Sequence, residues 1–125
     1  MEYAASVIAL KEAIAARFPD DAARADACIA GLNQPADDAG AWIEQFAQLT
    51  TNAMHRMEER TVRAHLDFIS ARAQGADAGE LEAIDVHYVE HLLLELRHQE
   101  KQWAWTLMPE ILRRMYIAMW GGVMI

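Results

Sequence analysis

One cysteine, Cys28, is the chain's whole thiol complement. That excludes an internal disulfide and a cluster of thiolate ligands, and in its Ala-rich helical surroundings Cys28 reads as a small buried residue. Proline and glycine are scarce, at three and six, and β-branched residues are sparse, so the composition favours helices over strands. Positive charge is short as well. Lys and Arg number 11 against 19 Asp and Glu, for a formal net charge of -8, a poor match for the phosphate backbone of a nucleic acid. No apolar run approaches the roughly 18 residues of a membrane span. The run after Ala4 and Ala5 is broken by Lys11 and Glu12, and Glu2 stands where a secretory leader carries base, so no targeting segment is expected. The expectation is a cytoplasmic protein that engages neither nucleic acid nor membrane.

What is present fits a single domain, 1–125, long enough to bury one core without staples. Apolar residues make up 54% of the chain, with seven Met and four Trp among them. Their spacing predicts an all-α fold, a single compact domain of roughly six or seven antiparallel-packed helices. The first helix spans Tyr3 to Phe18 with Val7, Leu10, Ile14 and Phe18 on one face, and Pro19 stops it. Asp20 or Asp21 then caps a second, Asp21 to Leu32, whose apolar side holds Cys28, Ile29 and Leu32. Asn33 to Gly40 is the plainest loop. A third helix, Asp38 to Met57, carries the stripe Trp42, Ile43, Phe46, Leu49, Ala53 and Met57. The fourth, Glu59 to Gln74, packs through Val62, Leu66, Ile69 and Ala73. Its ridge of Arg56, Arg60 and Arg63 reads as pairing with Glu59 or Asp67 rather than as a phosphate site.

From Leu81 to Leu96, apolar residues at 81, 84, 88, 89, 92, 93 and 96 define one broad face of an amphipathic helix. Asp77 and Glu80 have capping-box spacing before it, and Asp85 offers an alternative second start. Between Gly75 and Leu96 every charged residue is acidic: Asp77, Glu80, Glu82, Asp85, Glu90 and Glu95. Arg97 to Gln102 reads as a helix end or short link. Pro109 opens a last helix through Ile111, Leu112, Met115, Tyr116, Met119 and Trp120, apolar over more than half its girth, and Gly121-Gly122 ends it. Trp42 belongs to the core. Trp103 and Trp105 stand two positions apart, so on a helix they face differently, and an exposed one would suit an interface.

Catalytic patterns are thin. His87, Glu90 and His91 fit the inverted zinc-protease spacing H-x-x-E-H, but the acids left downstream for a third ligand are only Glu95, Glu100 and Glu110. No Ser or Thr sits in a nucleophile elbow and no Gly-rich loop cradles a phosphate. The reading is of a non-enzyme with no catalytic residue, no metal ligand and no cofactor.

Four stretches carry a resemblance: WIEQFAQLTTNA from Trp42, HLDFIS from His65, IDVHYVEHL from Ile84, and WAWTLMPEILRRMY from Trp103, closed by Trp120-Gly121. Together they resemble a family of small, all-helical bacterial cytoplasmic proteins described as a domain of unknown function, over about residues 3 to 122. Members are similar to immunity proteins that accompany polymorphic toxins of contact-dependent inhibition and Rhs systems. Asp85, Tyr88, Glu90 and Leu92 fit the family's D-x-x-Y-x-E-x-L pattern, which leaves His87 and His91 between patterned positions. The resemblance implies a stoichiometric inhibitor whose partner is a cognate toxin domain. Asp77, Glu80, Glu82, Asp85, Glu90 and Glu95 are the expected partner-binding residues. A non-catalytic adaptor or scaffold, homodimeric through its last helix, is the alternative, and a small metal enzyme comes third.

Overall fold

In the computed structural model, residues 2–35 and 37–121 are described. They form seven helices and no strand: α1 Glu2–Arg17, α2 Pro19–Gly31, α3 Ala39–His55, α4 Glu59–Gln74, α5 Ala78–Ala83, α6 His98–Leu107 and α7 Glu110–Trp120. Between α5 and α6 lie a π-helical turn, Ile84–Tyr88, and a 3-10 turn, Val89–His91. The single all-α domain expected from composition is the one observed.

α3 is the central element, packed by α1, α2, α4 and the π turn. It buries Trp42, Ile43, Phe46, Ala47, Ala53 and Met54, a face wider than the expected stripe. Met57 does not belong to it. α3 ends at His55, and Met57 takes a positive φ of 55° in the turn to α4, which throws its side chain into solvent. The α1 stripe is as read, with Val7, Leu10, Ile14 and Phe18 all buried.

Local chemistry corrects three readings. α2 starts at Pro19, whose fixed φ and missing N–H suit a first helical position, so Asp20 and Asp21 lie in the first turn and do not cap. Cys28 is exposed, because the inner face of α2 is set by Ala25 and Ile29 and Cys28 falls beside it. The expected link at 97–102 is helical from His98 on. The Glu100 carboxylate reaches back to accept the Arg97 backbone N–H at 2.9 Å, half of a capping box built without a usual cap residue.

The largest departure is the stretch from 81 to 96. Asp77 caps α5 as expected, accepting the Glu80 N–H at 2.8 Å, but regular helix ends at Ala83. The π and 3-10 turns that follow bury Ile84, Tyr88 and Val89 completely. Beyond them the chain unwinds, with Leu92 extended and Leu93 and Glu95 at positive φ. Leu92, Leu93 and Leu96 are buried nonetheless, and the Leu93 N–H donates to the Thr51 hydroxyl at 3.2 Å. The apolar pattern named the core residues correctly, while the backbone reaches them by another path. α7 ends as expected, at Gly121 with a left-handed φ of 77°; Gly122 lies outside the described residues.

Candidate functional site

The six acidic residues from 77 to 95 fall into separate environments. Asp77 is spent as a cap. Glu80 is largely covered and ion-paired to Arg72 at 2.7 Å. Glu95 stands exposed on the unwound segment, beside a cleft of about 190 Å³ lined also by Gln48, Asn52 and His55. Glu82, Asp85 and Glu90 remain. Asp85 is half-buried, with an Oδ1 that is sealed from solvent and accepts no hydrogen bond. Burial, with a smaller repulsion from Glu90, raises its pKa. Glu90 lies 3.7 Å from His91, and Glu82 is exposed.

A residue that the sequence did not single out joins these acids. Glu44 of α3 accepts a hydrogen bond from His87 Nδ1 at 2.8 Å and lies 3.7 Å from His91 Nε2. His87 Nε2 is 2.8 Å from the Tyr3 hydroxyl. Tyr3 has a raised pKa, chiefly from burial and then from the charges of Glu82 and Glu44, which ties Glu82 to the same edge. Glu44, Glu82, Asp85 and Glu90 thus flank a strip through Tyr3, His87 and His91. Glu44 lies beside the core stripe of α3, where an acid reads as ordinary surface; only the fold brings it to the histidines.

The H-x-x-E-H positions lie on irregular backbone. The π turn breaks the regular i, i+4 register, and both ring nitrogens of His87 already have partners, Glu44 and Tyr3. Among the described residues, no group of three or more His, Cys, Asp and Glu is disposed to hold a metal ion.

A second constellation lies under this surface. Asp21 Oδ2 is 2.8 Å from His65 Nε2, His65 Nδ1 is 2.8 Å from Thr50 Oγ1, and Thr50 Oγ1 is 2.9 Å from the Tyr88 hydroxyl. Burial lowers the His65 pKa, outweighing the opposite pull of Asp21, so the ring is neutral. The ring proton then sits on Nε2 and is donated to the Asp21 carboxylate. Thr50 donates to Nδ1, with the Phe46 carbonyl as a second, longer acceptor at 3.3 Å, and Tyr88 donates to Thr50. Burial holds the Tyr88 phenol far up from its ordinary value, in the same protonated state. The chain of donors joins α2, α4, α3 and the π turn. Its Asp–His–Thr order is that of a nucleophile relay, yet Thr50 is fully buried. The hydroxyl has no path to a substrate, so the relay works as a structural lock.

The mixed-charge cleft above Asp21, about 330 Å³, is lined by Asp20, Arg24, Arg56 and Glu58 among others. Its arginines are taken up by neighbours, Arg24 with Asp21 at 3.0 Å and Arg56 with Glu58 at 3.7 Å. On α4, Arg63 pairs with Glu59 at 2.8 Å as the ridge reading expected. No helix is long and apolar enough to cross a membrane, among the described residues.

Fold and surface together define an all-α domain with a locked polar core and an acidic edge. The chain belongs to the family described as a domain of unknown function (DUF7674), whose match covers residues 11–121. No curated protein and no solved structure matches the chain.

Proposed function

We propose that the protein is a stoichiometric inhibitor of a basic protein domain, an immunity protein for a bacterial toxin, and that it binds through the edge formed by Glu44, Glu82, Asp85 and Glu90. The observation that carries this reading is the gathering of four acids along one edge with, among the described residues, no Lys or Arg paired to them. Glu59, Glu80, Glu100, Glu110 and Asp21 each have an arginine partner. Among the described residues, none of the four edge acids is ion-paired to Lys or Arg; Glu44 and Glu90 meet only histidines. A toxin that acts on nucleic acid presents a basic cleft, and a rigid acidic edge complements it, steering encounter and excluding partners of like charge. Asp77 and Glu80, committed to a cap and to Arg72, are set aside as contacts, and Glu95 lies apart on the unwound segment. The test is co-expression with the C-terminal domain of a large secreted protein encoded immediately upstream, reading growth and co-purification. Rescue with a stable complex supports the proposal; toxicity with neither rescue nor binding removes it.

A scaffold reading has one observation in its favour. Ile117 and Trp120 of α7 are about half exposed, at 46% and 50%, and would be covered in a homodimer through that helix. Sedimentation showing a monomer independent of concentration would dispose of it.

A further inference from the structure

A groove of about 290 Å³ runs between the first turns of α1 and the start of α3. Its floor is Val7 and Ala39, both buried, and its α1 wall is Tyr3, Ala4 and Ile8, with Ile8 48% exposed. Its end is closed by the His87 ring, which lies so near Gly40 that a Cβ there would stand 2.7 Å from Cε1. Gly40 is therefore required by the ring's position: glycine lets His87 reach Tyr3 and Glu44 together.

One rim of this apolar groove is acidic. Asp37 and Asp38 line it, Glu44 holds His87 from behind, and no Lys or Arg is among its lining residues. Lys11, one turn further along α1 from Ile8, sits over the Trp42 ring at 5.6 Å. The positive end of the α3 dipole opens here too, but the Asp38 carboxylate already occupies it, accepting the Ala41 N–H at 2.9 Å. A second copy of this chain, at net charge -8, would bring carboxylates against carboxylates. An apolar floor beside an acidic rim suits the opposite pattern, one large apolar side chain carried among lysines and arginines.

We infer that this groove, framed by Tyr3, Ile8, Ala39 and His87, is the docking site for an apolar anchor residue on a Lys/Arg-bearing segment of a partner protein. The inference rests on the reading of the neighbouring acidic edge as a partner-binding surface. It adds what the charges alone do not supply: steering by Glu44, Glu82 and Glu90 brings the basic segment in, and burial of the anchor holds it. The exposed Ile8 and half-exposed Tyr3 are the residues that gain burial on docking.

Two synthetic peptides test this, alike in their lysines and arginines, one with a central leucine and the other with serine in its place. Each is titrated into the full chain labelled with nitrogen-15. The expected result is shifts centred on Ala4, Val7, Ile8 and Ala39 with the leucine peptide, and binding at least about tenfold weaker with serine, as for an anchor residue. Ile8→Asp, at an exposed position where the fold is indifferent, should abolish that discrimination with the helical circular dichroism unchanged. Equal binding of both peptides, or shifts spread along the acidic edge with none at the groove, overturns the inference. The two proposals fail separately. A toxin complex whose Kd is unmoved by Ile8→Asp would sink the groove alone. Leucine-dependent binding with no neutralised toxin would keep the groove and sink the inhibitor reading.

Discussion

The Tyr88 hydroxyl lies 2.9 Å from Thr50 Oγ1, and both residues are fully buried. This contact fastens the π turn to the central helix and continues through His65 to Asp21. The acidic edge is carried in part by the π turn, so this contact also holds that edge in place. The stability of the lock and the geometry of the surface are therefore linked.

Thr50 is the hub, so its removal costs more than the loss of either end. Thr50→Val keeps the shape but leaves the Tyr88 hydroxyl and His65 Nδ1 without partners, for a loss of about 2–4 kcal/mol. Tyr88→Phe removes only the terminal donor and should cost about 1 kcal/mol. Urea unfolding of both variants measures the difference. Equal losses would mean that the groups do not act as a connected chain.

Stability should fall on mild acidification. Burial holds the His65 pKa down in the fold, while the unfolded chain protonates it near pH ~6.5. The unfolded state takes the proton first, so this contribution is complete above about pH 6.5 and is lost as the pH drops below it. Glu100 acts lower down. The Arg97 N–H, ahead of the His55 contact, depresses its pKa, so its contribution is present above the unfolded carboxylate value and disappears as the pH falls through the folded one. Denaturation midpoints between pH 5 and 7.5 should slope for the native chain and flatten for His65→Gln, whatever that variant loses in absolute stability.

Asp85 has the opposite sign. Burial and Glu90 raise its pKa, so as an anion at neutral pH it weighs against the fold. Asp85→Asn should raise the thermal midpoint at pH 7 and lose that advantage in acid, where the aspartate is protonated. A lower midpoint at pH 7 would contradict this.

Gly40→Ala should destabilise by about 1–3 kcal/mol, the usual cost of overpacking, because His87 must swing off both Tyr3 and Glu44. Adding His87→Ala relieves the clash, so the double variant should be less unstable than the two single losses sum to. Thermal melts of the four chains give the answer, and strict additivity would refute it.

Composition and periodicity made most of the fold legible. α4 runs from Glu59 to Gln74 as its pattern dictates, and Asp77 caps where the sequence places a cap. The residues buried between 84 and 96 were also legible, because burial follows side-chain chemistry. Their backbone path was not. It depends on hydroxyls of Thr50 and Thr51 that lie far away in sequence and take over hydrogen bonds that a regular helix would make for itself. The acidic cluster was half legible for the same reason. Glu82, Asp85 and Glu90 stand out as a run without base, but Asp77 and Glu80 have local partners, and Glu44 joins only through tertiary contact with His87.

The most direct test of the acidic edge is the association rate with the toxin domain, measured against salt for the native chain and for Glu44→Lys/Glu82→Lys/Glu90→Lys. If the edge steers a basic partner, the triple variant associates at least about tenfold more slowly at low salt, and its rate loses most of its salt dependence. A rate and salt slope equal to those of the native chain would contradict the account.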